Sequence, residues 1–137
     1  MPYGTDLANS ASRHLEAASL LEQPPPRGRA DVAGYLYGIA AECALKEIMR
    51  RLGLRPREPR DRREDPFYLH FPELKTALAA ARLGRHQRDL LKYAQDSQLM
   101  QDWDTNMRYA PSADVLGKPI ARWAEQARRL VEEMRAR

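Results

Sequence analysis

The apolar residues recur at steps of three and four, the spacing of helical faces, and nowhere alternate long enough to make a convincing strand. Five helical segments are predicted. The first runs from about Asp6 to Gln23 with Thr5 as its N-cap. Leu7, Ala11, Leu15, Ala18 and Leu21 line one of its faces, and His14 lies beside that stripe, where a backbone carbonyl can satisfy it. Pro24, Pro25 and Pro26 end it, since proline cannot continue the hydrogen-bond ladder. The second, about Ala30 to Leu52, carries Val32, Tyr35, Leu36, Ile39, Ala40, Cys43, Leu45, Ile48 and Met49 around most of its circumference. A helix apolar nearly all round sits at the centre of a bundle or faces both a core and a partner. Gly53 supplies its C-terminal cap.

A connection from Leu54 to Phe71 follows, broken by Pro56, Pro59 and Pro66. From Arg50, at the end of the second helix, to Asp65 the chain holds seven arginines against Glu58, Asp61, Glu64 and Asp65. Such a long irregular loop is uncommon in a compact domain and is usually functional or disordered. The cluster Phe67, Tyr68, Leu69, His70, Phe71 then re-anchors the chain. A third helix is expected from about Pro72 to Leu83, closed by Gly84, and a fourth from about Arg85 to Met100 on Leu90, Leu91, Ala94 and Leu99. After a turn around Trp103 to Pro111, Leu116, Ile120, Trp123, Ala127, Leu130 and Met134 predict one continuous face on the last helix. The outward residues of that helix, among them Glu125, Arg128, Arg129, Glu132, Glu133 and Arg135, read as a solvated strip. An all-α antiparallel bundle in one domain over residues 1–137 is the expected result.

Composition narrows the function classes. With 137 residues, 43% hydrophobic, the chain can bury a continuous core. Its most apolar stretch contains Asp31 and Glu42, which argues against a membrane span. Residues 1–9 lack a secretory pattern, so the expected compartment is the cytoplasm. A single cysteine, Cys43, gives no internal disulfide and no cysteine zinc site. The net charge of +4 is mild for a nucleic-acid binder, although 19 of the 23 basic residues are Arg, which suits phosphate and base stacking better than Lys.

Neither a glycine-rich phosphate loop nor a His-Glu-x-x-His or Gly-x-Ser-x-Gly motif is present. The three histidines, His14, His70 and His86, fall on separate segments, so no metal and no cofactor is expected. His70 differs from the others in standing between the Arg-rich loop and a helix start. Glu42 precedes Lys46 by four residues, the favourable order for an intrahelical ion pair. The pair either joins a polar solvent strip with Asp31 and Arg50 or faces a cleft where a ligand or second subunit docks. Arg108 and Tyr109 can hold a phosphate and stack on a base. Alternatively, Tyr109 packs under the last helix and Arg108 pairs with Asp102 or Asp104.

Taken in order, these pieces resemble the HEPN domains, the nucleotide-binding helical domains of higher eukaryotes and prokaryotes. The likeness rests on Glu42-Cys43-Ala44-Leu45-Lys46 late in an apolar second helix starting around Gly34-Tyr35, on His70-Phe71-x-Glu73-Leu74 opening the third, and on Arg108-Tyr109 before a long last helix. It spans roughly Leu7 to Met134. The resemblance implies an up-and-down four- to five-helix bundle, usually a homodimer. One functional group of the family comprises metal-independent ribonucleases, often toxins or phage-defence effectors, with Arg, four to six residues, then His. The other is non-catalytic and often accompanies a small nucleotidyltransferase. Arg63 and His70 have the ribonuclease spacing, six residues between them, but stand in the loop before the third helix rather than in the second half of the domain. Arg82 and His86 are too close for it.

The expected function is therefore a non-catalytic nucleotide-, RNA- or partner-binding domain, of the kind found in nucleotidyltransferase-linked toxin–antitoxin or defence systems. Glu42, Lys46, Arg108 and Tyr109 would form its ligand site. The alternatives are a metal-independent ribonuclease using Arg63 and His70, and a purely structural dimerisation module.

Overall fold

In the computed structural model the described residues are 4–56, 63, 65–81 and 83–137. They form six α-helices and no strand: α1 Leu7–Leu21, α2 Ala30–Arg51, α3 Glu73–Ala80, α4 Gln87–Ala94, α5 Ser112–Leu116 and α6 Ile120–Arg135. Three short 3-10 helices join them, Pro66–Tyr68, Gly84–His86 and Thr105–Tyr109. The middle of the Arg- and Pro-rich connection, residues 57–62, and Arg82 lie outside the described residues. No described helix is long and apolar enough to cross a membrane.

The N-cap of α1 is Asp6 rather than Thr5; its carboxylate accepts from the Asn9 amide at 3.0 Å. Small buried residues, Ala11 and Ala18, let α1 lie close along α2. The chain reverses through the prolines at Gly28, where a Cβ would stand 1.7 Å from the Gln23 carbonyl oxygen, so only glycine fits. As expected, α2 is the central helix, packed on both α1 and α6. It stops at Gly53, whose φ of +100° lets the Leu54 amide turn back to the Met49 carbonyl at 3.1 Å.

α6 runs in the same sense as α2. Trp123 lies against Gly34 near the start of α2, and the Met134 carbonyl accepts from Arg51 at its end. The face of α6 is interrupted where the sequence suggested continuity. Pro119 separates α5 from α6, and Leu116 on α5 is exposed, whereas Trp123, Ala127, Leu130 and Met134 are buried. The solvated strip of α6 also ties helices together. Arg128 reaches Tyr37 and Glu22, Glu133 accepts from the Tyr93 hydroxyl, and Arg135 donates to Ser12.

α4 is half the expected length. It ends at Ala94 because the Asp96 carboxylate accepts from the Gln98 amide at 3.0 Å and turns the chain out of the helix. Leu99 and Met100 remain buried because α6 holds that turn in place. Gln126 accepts from the Met100 amide at 2.9 Å and donates to the Gln98 carbonyl at 2.8 Å. Trp123 donates to the Gln101 carbonyl at 3.0 Å. The Lys75 ammonium of α3 caps the Asp96 and Leu99 carbonyls from the other side, and burial lowers its pKa. Together these bonds set the position of Trp103.

Candidate functional site

Gly38 leaves a notch in the surface of α2, and Trp103 fills it, while Gly34 one turn earlier admits Ile120 and Trp123. Trp103 is fully buried and donates its indole N–H to the carbonyls of Gly34 and Tyr35 at 3.2 and 3.3 Å. Tyr35 stacks on one side of the indole at 5.6 Å, and Phe71 meets it edge-on at 6.4 Å. This aromatic row fixes two groups of polar side chains along one edge of α2.

At the Phe71 end, His70 lies three residues before α3, and its carbonyl accepts from the Leu74 amide at 2.8 Å. Burial of Phe71 therefore holds the His70 ring over α2. Its Nδ1 meets both oxygens of the Glu42 carboxylate, at 2.9 and 3.0 Å. That carboxylate is buried, 6% exposed, and its second partner is the Lys46 ammonium at 3.3 Å, also buried. The pair therefore does not belong to a solvent strip. Asp31 and Arg50 have partners of their own, Arg29 with Ser112 and Glu47 respectively. A buried carboxylate without such partners would be costly. With the carboxylate at Nδ1, the proton belongs on that nitrogen. The ring is 51% exposed, and its Nε2 makes no hydrogen bond among the described residues.

At the Tyr35 end, the Thr105–Tyr109 turn is capped by Asp104, which accepts from the Asn106 amide at 2.8 Å. Arg108 donates to the Thr105 carbonyl at 3.1 Å and to neither Asp102 nor Asp104. Its guanidinium lies 5.9 Å from the Tyr35 ring and 5.3 Å from the Tyr109 ring. Tyr109 does not pack under the last helix; it is 80% exposed. The exposed Tyr109 ring stands beside Arg108, which with Tyr35 and Met107 lines a groove of about 370 Å³ between α2 and α5. Its far side is braced by Asp31, which accepts from Arg29 at 2.7 Å and from the Ser112 hydroxyl at 2.6 Å. Those two bonds hold the Asp31 carboxyl well below the usual carboxylate range.

Tyr35 and Glu42 lie seven residues apart on α2, or about 10 Å along the helix axis. The two groups are thus neighbours on one edge without forming one pocket. Arg63 joins neither. It is exposed on the rim of a separate groove along α3 with Glu73 and Thr76, and among the described residues it makes no contact with His70. His14 donates to or accepts from no ligand-facing group; its Nδ1 lies 2.7 Å from the Ser10 carbonyl. Among the described residues no three His, Cys, Asp or Glu side chains cluster as a metal site requires.

Beside both groups runs a line of apolar side chains on α2 that no other helix covers fully: Val32, Leu36, Ile39 and Cys43. Trp103, Arg29 and Ser112 escaped the sequence reading as site-building residues. Gly38 in an otherwise apolar helix was the available signal for the first, since a missing Cβ there admits a large ring. Nothing in the sequence marks the contact of Asp31 with Ser112, which lies 81 positions away. No protein-family model matches the chain, and neither a curated protein nor a solved structure matches it.

Proposed function

We propose that the chain is a HEPN-like domain that binds a nucleotide or RNA without cleaving it, through the groove lined by Arg108 and the exposed Tyr109 ring beside it. The observation that carries this reading is the exposed Tyr109 ring beside an arginine already oriented against Tyr35. An exposed aromatic offers a base a stacking face whatever its identity, and the adjacent guanidinium offers a phosphate two parallel donors. The line of Val32, Leu36, Ile39 and Cys43, exposed at Val32 and partly buried along the rest, suits the homodimer that the family resemblance implies. A nucleotidyltransferase partner in a toxin–antitoxin or defence setting follows from the same resemblance. A thermal-shift series with nucleotides and short RNAs tests the proposal, because a ligand that binds only the folded chain raises its melting temperature. Stabilisation by RNA or nucleotide that Arg108→Ala removes supports it. Absence of any ligand-dependent shift favours a structural dimerisation module instead.

A second reading, metal-independent RNA cleavage, draws support from the Glu42–His70 contact. A carboxylate on Nδ1 makes Nε2 a base able to take a proton from a 2′-hydroxyl. Arg63 makes no hydrogen bond to the Glu42–His70 pair within one chain, so Arg108 or a second subunit would supply a further phosphate-holding cation. Incubation of the purified protein with mixed RNA and a chelator should then yield products that His70→Ala abolishes. Intact RNA in the wild-type reaction refutes this reading.

A further inference from the structure

The C-terminal end of α2 carries a second concave site. A cavity of about 570 Å³ opens between the start of α1, the last turns of α2 and the Pro66–Tyr68 turn. Pockets that hold small ligands typically run from about 300 to 1,000 Å³. One wall is formed by Leu7, Phe67 and Tyr68, and another by the arginines Arg50 and Arg55.

Both guanidinium groups are held from behind. The carboxylate of Glu47, itself buried, takes the Nε and Nη2 of Arg50, the latter at 3.1 Å. Arg55 gives its Nη1 to the carbonyls of Arg50 and Leu54 at 3.0 and 2.8 Å. Among the described residues, Nη1 of Arg50 and Nε and Nη2 of Arg55 make no hydrogen bond. Donors that are already oriented lose little freedom on meeting an anion.

Among the described residues, the charge balance sets how much negative charge the cavity accepts. Glu47 is shared by Arg50 and Arg51, so its charge is more than offset. Asp6 stands at the rim, occupied in capping α1, and would repel a second anionic group. The aromatic wall then calls for a planar apolar body beside a single anion.

We propose that this cavity binds a small molecule in which a planar aromatic body carries one carboxylate or one phosphate. The site is independent of the groove at Arg108. The test is amide NMR titration of the full chain with 1-naphthyl phosphate and 1-naphthoate, with inorganic phosphate and 1-naphthol as the separate halves. Saturable shifts should localise to the amides around Leu7, Arg50, Arg55, Phe67 and Tyr68. Each half should bind at least tenfold more weakly than the joined probe, and whichever of the two joined probes binds tighter identifies the anion. Arg55→Ala should weaken binding about tenfold, the loss of one charge-assisted contact. Because that change also removes a cap on α2, Tyr68→Ala serves as a second variant and should weaken binding while the spectrum stays dispersed. Arg122→Ala, an exposed charge on α6, should leave the affinity unchanged. Scattered shifts, phosphate alone binding as tightly as its naphthyl ester, or an affinity unmoved by both variants would overturn the proposal.

Discussion

Gly38→Ala sets two known effects against each other. In an exposed helix interior, alanine stabilises by about 1 kcal/mol relative to glycine. At position 38 the new Cβ would lie 2.0 Å from both Cε2 and Nε1 of Trp103. Carbon atoms in contact rest at about 3.5–4.0 Å, so the indole must retreat by roughly 1.5 Å or more. That retreat breaks the donation to the Gly34 and Tyr35 carbonyls, worth about 1 kcal/mol net. It also disturbs the contacts with Tyr35 and Phe71, worth about 0.5–1.5 kcal/mol each. Overpacking strain adds to these losses. The net expectation is a destabilisation of about 3 kcal/mol, or a melting temperature lower by about 10 °C for a chain of this size. Urea denaturation followed by circular dichroism and tryptophan fluorescence measures it. Gly34→Ala provides the scale, since its Cβ would meet Ile120 and Trp123 at 3.2 Å and needs shifts of only a few tenths of an ångström. In a Trp103→Ala background the Gly38→Ala penalty should vanish or change sign. A Gly38→Ala protein as stable as the wild type, or more so, would refute the packing described for Trp103.

Other expectations follow from the buried charges. Glu42→Ala strands Lys46 in a buried position and should cost about 3 kcal/mol by chemical denaturation, with Lys46→Met in the same chain recovering part of the loss. Asp31→Asn should destabilise the protein near neutral pH. The carboxyl titrates lower in the folded chain than its unfolded value of about 3.9, so this deficit should shrink as pH falls below about 4; a deficit unchanged down to pH 2 contradicts it. Burial, aided by the neighbouring Glu42 charge, pushes the Cys43 thiol up to about 11. Alkylation by iodoacetamide at pH 8 should be roughly a hundredfold slower than for a free thiol, and full-rate modification of the native protein would contradict the described burial.

The long helices were legible because their burial is periodic. α2 begins and ends within a residue of expectation, since an apolar circumference and Gly53 act locally. The shorter elements depend on contacts that sequence spacing does not carry. Leu99 continues the helical rhythm of Leu90, Leu91 and Ala94, yet it is buried by a turn that Gln126 holds from α6. Leu116 continues the rhythm of α6, yet the break at Pro119 turns it to solvent. At the site, the Glu42–Lys46 pair was readable from its spacing, and His70 stood out by its setting. Their convergence was not readable, because 28 residues separate Glu42 from His70 and the link is made by Phe71 docking on Trp103.

The arrangement of α1, α2 and α6 also bears on how the chain acquires its structure. α1 and α2 are joined by one tight reversal and can pair early as a local hairpin. α6 must cross the whole intervening segment to reach α2, a closure of about 70 residues whose entropy is lost before its contacts form. The 98–101 turn should therefore be sealed in place late, when α6 supplies Gln126 and Trp123 to it. Both polar groups along α2 draw their second half, His70 and Arg108, from the segments flanking that turn. Native-state hydrogen exchange should accordingly find the strongest protection in α2 and α6. The site itself would open as a cooperative unit below the global unfolding free energy, and it could be loosened without melting the three long helices.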